Sequence, residues 1–322
     1  MPTAKSPRKG SLQFWPRKRA SKFLPRVNWK ARKEKNSGRQ GLAGFIGYKA
    51  GMVSASVKDN TPNSLMDKKR IIVPATIIVT PSMKIFSIRF YKDNKVLGEV
   101  VIEGLDKELK RKVKLPKTKK DVSVKIDEIM KLSPEEVSLI VYSQVKKTGI
   151  KKRPDLSEIG VYGNSLDEKI RFIKENMNKE LSVTDFFKSG ELIDVQGLTK
   201  GHGFSGTIKR FGLKLKKKKS EKGQRRPGSL GPWHPARVDF RAPQAGQLGM
   251  FTRANYNNKI LDVVKAGDKK LDPLKHFGEV KTDFIIVRGS VPGVAKRQLV
   301  ISNPLRTSKK QLKKNFELIE LR

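Results

Sequence analysis

The chain has 322 residues, no cysteine, and 71 Lys plus Arg against 31 Asp plus Glu, giving a formal net charge of +40 and a pI near 10.4. Such a charge opposes compaction unless a polyanion neutralises it, and a phosphate backbone is the polyanion that matches so many cations. The missing cysteines exclude disulfides, thiol catalysis and Cys-ligated zinc, and His202, His234 and His276 are too widely spaced for a local metal motif, so neither a metal nor a cofactor is expected.

In chain order, residues 1–40 come first: 13 Lys plus Arg with one acid, Glu34, and no apolar run of the kind a secretory leader needs. They read as a basic extension. Residues 41–103 carry strand signals at 41–57, 70–80, 84–91 and 96–103, β-branched or aromatic runs bounded by Gly, Asn, Asp or Pro. The most apolar of these, 71–79, is interrupted by Pro74 and is far short of the roughly 20 residues that span a bilayer. A membrane partner is not expected.

Residues 104–190 read as an α/β insertion. A strand is predicted at 137–145 and a helix at 166–178, where Ser165 and Glu168 make a capping box and Ile170, Ile173 and Met177 recur on one face. A shorter helix is predicted at 183–189, with Ser182 as its N-cap and Gly190 as its stop. The lysine-dense stretch 107–120 reads as an exposed connection, open equally to a solvated-surface and an RNA-contact role.

Strand signals resume at 191–198, 249–255, 259–264, 283–288, 297–302 and 316–321. The expected fold is therefore mainly β: a barrel built from 41–103, 191–199 and 247–322, interrupted by the α/β insertion and by a basic internal loop at 200–246. Residues 200–241 hold 13 Lys plus Arg against Glu221 and Asp239. This loop and the N-terminal extension carry more than half of the net charge in a quarter of the chain, with few periodic apolar residues, and are expected to fold only on a partner.

Gly201-His202-Gly203-Phe204-Ser205-Gly206 fits the pattern G-x-G-x-x-G, so a dinucleotide or methyl-donor site has to be weighed. A Rossmann unit needs an amphipathic helix directly after the glycines and an acid about 20 residues on. Here a lysine run follows, with Gly212 before it and Glu221 inside it. The better reading is a backbone that passes close to phosphate and ribose, flanked by Lys200, His202, Lys209 and Arg210.

Trp233 could be a core aromatic, but it sits between Pro232 and His234-Pro235 with no apolar periodicity around it. Exposed in a basic loop, Trp233 and His234 can stack on unpaired bases while Arg225, Arg226, Arg237 and Arg241 meet phosphates. His234 with Asp239 is the one candidate general-base pair; nothing in the sequence supplies a pocket for it, and no Walker sequence, nucleophile elbow or HExxH occurs. Near the start, Phe14 and Trp15 among Arg8, Lys9, Arg17, Lys18 and Arg19 either contact RNA or dock the tail on its own barrel.

Several ordered motifs carry a family resemblance: Gly10-Ser11-Leu12 with Pro16-Arg17-Lys18-Arg19, Gly44-Phe45-Ile46-Gly47-Tyr48-Lys49-Ala50-Gly51-Met52, and Val195-Gln196-Gly197-Leu198-Thr199-Lys200-Gly201-His202-Gly203-Phe204-Ser205-Gly206. Gly231-Pro232-Trp233-His234-Pro235-Ala236-Arg237-Val238, Ala245-Gly246-Gln247-Leu248-Gly249 and Asn257-Asn258-Lys259-Ile260 complete the set. Over nearly the whole chain they resemble the universal large-subunit ribosomal protein L-three family in its archaeal and eukaryotic form. The resemblance implies a translation-factor-like β-barrel and a non-enzymatic constituent of the cytoplasmic large subunit. It also implies early assembly on the last domain of the large-subunit rRNA, near the factor-binding region.

It further implies that the internal loop reaches toward the peptidyl transferase centre, with large-subunit rRNA and neighbouring ribosomal proteins as partners. No small-molecule substrate and no homo-oligomer are expected. With the residues named above, Gly203, Phe204, Gly206, Ser229, Gln244, Gln247 and Arg253 complete the expected rRNA contacts. One departure is Val53-Ser54 after Met52, where many relatives carry a threonine-histidine pair, so no local role is carried over to that strand end. The readings set against this one are an RNA-modifying enzyme that holds a methyl donor on its glycine motif and a general DNA-compacting protein.

Overall fold

The computed structural model describes residues 10–35, 38–116, 121–269 and 271–322. Arg8 and Lys9 lie outside the described residues, as does the end of the lysine-dense stretch at 117–120. Helix α1 spans Trp29–Lys35, followed by strands β1 (Gly41–Leu42), β2 (Gly44–Asp59), β3 (Arg70–Val79), β4 (Met83–Lys92) and β5 (Lys95–Val101). Then come α2 (Val122–Met130), β6 (Glu136–Ser143), β7 (Leu156–Tyr162), α3 (Leu166–Asn176) and β8 (Leu192–Leu198). Strand β9 (Gly201–Ser205), α4 (Thr207–Phe211) and β10 (Gly246–Gly249) belong to the internal basic segment. The chain continues through β11 (Thr252–Val264), β12 (Phe284–Arg288), β13 (Gln298–Ser302), α5 (Lys309–Leu312) and β14 (Phe316–Leu321).

Two compact units result. One joins Phe23–Gly197 to Arg253–Arg322, and the other joins Met1–Lys22 to Leu198–Thr252. In the larger unit, strands pair in the order β13-β8-β11-β12-β3-β2-β14, and β13 also pairs with β2. Six of these strands therefore form a ring of pairings that returns on itself, with β14 added to the outside of β2. The run RIIVPATIIV of β3 suits this position: Val73, Ala75, Ile77, Ile78 and Val79 are buried. Pro74, which cannot donate to a ladder, precedes the point where β12 pairing begins at Ala75.

The second sheet has the order β1-β7-β6-β4-β5. Helix α3 turns Ile170 and Ile173 inward, onto a core shared with Phe90, Leu139 and Val161. Its N-cap is the predicted Ser165, which accepts from the Glu168 N–H at 3.2 Å, but the Glu168 carboxylate reaches past the cap to accept from the Asn164 N–H. Burying these apolar side chains at about 25 cal/mol per Å² is the main force holding the sheet to its helices. Tyr48 of β2 donates to Asp155 at 2.6 Å and lies 2.7 Å from the Ser143 hydroxyl, a buried polar link between the two sheets.

Five expectations change. Of the stretch 41–103 expected in the barrel, only β2 and β3 join the ring of strands, because β4 and β5 pair in the second sheet, where β4 lies beside β6. The helix expected at 183–189 is a single 3₁₀ turn, Val183–Asp185, because the chain after it bonds elsewhere: the Ser189 hydroxyl donates to the Leu261 carbonyl and the Gly190 N–H to that of Ile260. The signals at 249–255 and 259–264 merge into one long strand, β11. The N-terminal segment is not wholly an extension, since Trp29 and Arg32 are buried in the larger unit and the Trp29 indole donates to the Glu158 carbonyl at 2.8 Å. Lys107–Arg111 forms a 3₁₀ turn that buries Leu109 against Phe86 and Tyr142, so that part of the lysine-dense stretch is anchored.

Candidate nucleic-acid interface

The internal loop leaves and returns through a short antiparallel ribbon in which β9 pairs with β10, Ser205 opposite Gly246 and Phe204 opposite Gln247. Sequence reading places no strand at 201–205, since glycines dominate it and its partner lies about 45 residues downstream. A bulge between Gln247 and Gly249 lets the limbs cross closely. Gly249 has φ +80°, and a Cβ there would collide with the Lys200 carbonyl oxygen, so only glycine fits.

After β9, Gly206 caps α4, a helix of five residues that Gly212 ends in the left-handed region. That is too short for a Rossmann helix, and β9 pairs with β10 alone. The cofactor reading of G-x-G-x-x-G has no geometric support. Lys200, His202, Gly203 and Phe204 are exposed, with Phe204 at 82%.

Arg210 and Arg17, both expected to meet RNA, are engaged at the base of the loop. The Arg210 guanidinium donates to the carbonyls of Gln247 (3.0 Å), Gln244 (2.8 Å) and Ala245 (3.5 Å), pinning the returning limb to α4. Its partial burial lowers its pKa below the usual arginine value. Arg17 donates to the Arg210 carbonyl at 3.2 Å and lies 4.4 Å from the Phe211 ring and 5.5 Å from that of Trp15.

Trp15 stacks on Phe211 at 6.3 Å and meets Phe240 edge-on at 5.8 Å, while Arg241 sits over Phe240 at 5.5 Å. Trp15 and Arg17 thus dock on the base of the internal loop, a third alternative to the two weighed from sequence. Gln247 is also engaged, donating to the carbonyls of Leu248 and Gly249. Phe14, Lys18 and Arg19 remain exposed.

Beyond this base the loop has no regular structure, and every residue from 225 to 241 is exposed. Trp233 is 87% exposed, which rules out a core role. Arg225, Arg226, Ser229, His234 and Arg237 lie in the same exposed stretch. Lys209, Lys214, Lys216, Lys217, Lys218, Lys219, Lys222, Arg225, Arg226 and Arg237 pair with no carboxylate among the described residues.

Asp239 does not orient His234; its carboxylate accepts from the Arg241 N–H at 3.2 Å and closes a local turn. His234 meets the Trp233 ring at 6.5 Å instead. Arg253 lies on β11, in the larger unit. No group of three or more potential metal ligands and no helix long and apolar enough to cross a membrane occurs among the described residues.

The described residues thus set an exposed, acid-poor loop with a solvent-facing indole at its tip on a packed base. The particular family follows from comparison with known proteins. The family model for Ribosomal protein L3 matches residues 1–322.

The large ribosomal subunit protein uL3 of Methanocaldococcus jannaschii is 38% identical over 319 residues, covering 95% of this chain and 93% of the relative. That of Methanococcus maripaludis is 38% identical over 94% of this chain and 92% of its own, and that of Methanobrevibacter smithii 36% identical over 94% and 93%. The chain belongs to the Ribosomal protein L3 family. The family is a structural ribosomal component, not an enzyme.

Proposed function

We propose that this chain is a structural constituent of the large ribosomal subunit in the cytoplasmic ribosome of an archaeal-type translation system, bound to large-subunit rRNA and to neighbouring ribosomal proteins. The observation that carries the rRNA part is the tip from 225 to 241, exposed throughout, with four arginines around Trp233 and His234. Phosphates neutralise the cations, and unpaired bases stack on the indole and imidazole.

In this reading the ring of six strands is a translation-factor-like barrel interrupted by the α/β insertion, and it acts as the rigid mount. Residues 1–22 and 200–246 enter the RNA. Lys18, Arg19, Lys200, His202, Phe204, Lys209, Arg225, Arg226, Ser229, Trp233, His234 and Arg237 touch it, with Arg253 and Phe14 at the margins. Arg17, Arg210, Gln244 and Gln247 hold the loop in shape for those contacts. The tip buttresses RNA near the peptidyl transferase centre and the factor-binding region, the protein joins early in assembly, and it does so as a single copy.

Salt titration tests this. Binding to a large-subunit rRNA fragment keeps a clear advantage over random duplex DNA at matched salt, while both weaken steeply as counterions are released. Equal affinities across the titration would overturn the reading in favour of general nucleic-acid compaction. Stoichiometric binding of a labelled methyl donor to the purified chain would overturn it in favour of an RNA-modifying enzyme.

A further inference from the structure

We infer that the larger unit carries its own rRNA phosphate-binding face, centred on Arg288, Lys310 and Lys314 and widened by Arg306, Lys309 and Lys313, separate from the two basic extensions. The inference rests on the rRNA reading above and adds a contact surface to it.

Residues 306–316 contain five cations and no acid. Helix α5 and the turn after it, closed by Lys313 N–H to Lys309 carbonyl and Lys314 N–H to Gln311 carbonyl, wrap these lysines around one short coil. Arg306, Lys309, Lys310 and Lys313 are exposed and Lys314 is half-buried. Arg288 arrives from the end of β12, its guanidinium 4.6 Å from the ring of Phe316, two residues beyond Lys314.

None of these six cations forms an ion pair among the described residues. Elsewhere in the same unit cations do find acids: Arg70 with Glu320, Arg89 with Glu99, Lys147 with Glu180 and Lys269 with Asp262.

The cations also crowd one another. Burial, and after it the charges of Arg288 and Lys310, lower the pKa of Lys314 against the opposing pull of Asp59. The Asp59 carboxylate, which also accepts from the Thr61 N–H at 3.0 Å, offsets them only in part. A fold that brings several like charges together around one partial counter-charge is stabilised when a further anion arrives. Lysine is depleted in protein–protein interfaces, so a sugar-phosphate backbone fits this lysine-rich cluster better than a protein partner.

The test uses the full chain and a large-subunit rRNA fragment, with log affinity followed against log salt for the wild type, Lys310→Gln/Lys314→Gln, and Lys217→Gln/Lys218→Gln in the internal loop. The first pair lowers the slope by about 0.9 for each duplex phosphate it no longer neutralises, with a thermal midpoint equal to or above that of the wild type because repulsion is relieved. An unchanged slope in that pair, with a reduced one in the loop pair, overturns the inference and leaves the rRNA reading standing. A lowered midpoint assigns Lys314 a structural role, and Lys309→Gln/Lys313→Gln, both exposed, then decides by its slope alone. An unchanged slope combined with poor incorporation into the subunit assigns the face to a protein neighbour and also overturns the inference. Loss of the wild-type preference for rRNA overturns the underlying reading instead.

Discussion

Arg32 and Asp194, 162 residues apart, meet at 3.0 Å with their side chains only 3% and 0% exposed. The same guanidinium donates to the Asn303 carbonyl, and the Asp194 carboxylate also accepts from the Asn257 and Leu305 N–H groups, each at 2.9 Å. One buried pair therefore ties α1, β8, the middle of β11 and the chain after β13. Breaking such a pair leaves an uncompensated buried charge, which costs about 3–5 kcal/mol. Asp194→Ala and Arg32→Ala are each expected to lower urea stability by that order. The double substitution should cost less than their sum, because neither charge is then left alone. Additive losses would mean that the two residues act independently.

Arg210 predicts a local effect. Three of its hydrogen bonds end on the carbonyls of residues 244, 245 and 247. A charged donor contributes about 1.5–3 kcal/mol to such a bond when partly buried. Arg210→Met should raise amide hydrogen exchange across Gly246–Gly249 and leave exchange in β2, β3 and β12 unchanged, because those strands belong to the other unit. Global loss of protection would contradict a role confined to the loop base.

Much of this arrangement is legible in the sequence, and the parts that are not share a cause. The β-branched runs of β2, β3, β12 and β13 announce themselves through local pattern, as does α3 through Ser165 and its apolar face. Strands β7 and β9 do not: LSEIGVY and GHGFS lack a clean alternation, and β9 is held by a partner more than 40 residues downstream. The charge density of 200–241 is plain from composition, but which cations bind RNA and which brace the loop is not. Arg17 and Arg210 read like their neighbours until Phe211 and the carbonyls of residues 244–247 are placed beside them. The Lys309–Lys314 cluster is hidden for a further reason, since Arg288 completes it only after β12 has folded.

Glu99 supplies a pH dependence. Burial works to raise its pKa, but hydrogen bonds from Ser87 (2.6 Å) and Arg89 (2.8 Å) outweigh that and hold it below the ordinary carboxylate value. With the folded value depressed, its stabilisation is present above the unfolded pKa, about 4.3, and is lost as pH falls through the folded one. Glu99→Gln should therefore narrow the gap between midpoints measured near neutrality and in acid. Because the pair is partly exposed, the effect is modest. An unchanged acid limb would show that Glu99 keeps no depressed pKa.

Trp233 and His234 separate folding from binding most cleanly. Trp233 is 87% exposed and His234 lies beside it, so neither supports the fold. Trp233→Ala and His234→Ala should each leave the unfolding free energy within about 0.5 kcal/mol of the wild type. Base stacking on an aromatic contributes about 1–3 kcal/mol per base, so affinity for a large-subunit rRNA fragment should fall by roughly five- to 150-fold for Trp233→Ala. The salt slope should stay unchanged, because every phosphate keeps its cation. Trp233→Phe should restore most of the affinity, since a phenyl face also stacks. A slope that falls with the affinity would assign the tip to backbone contact, and cooperative destabilisation would return Trp233 to the core.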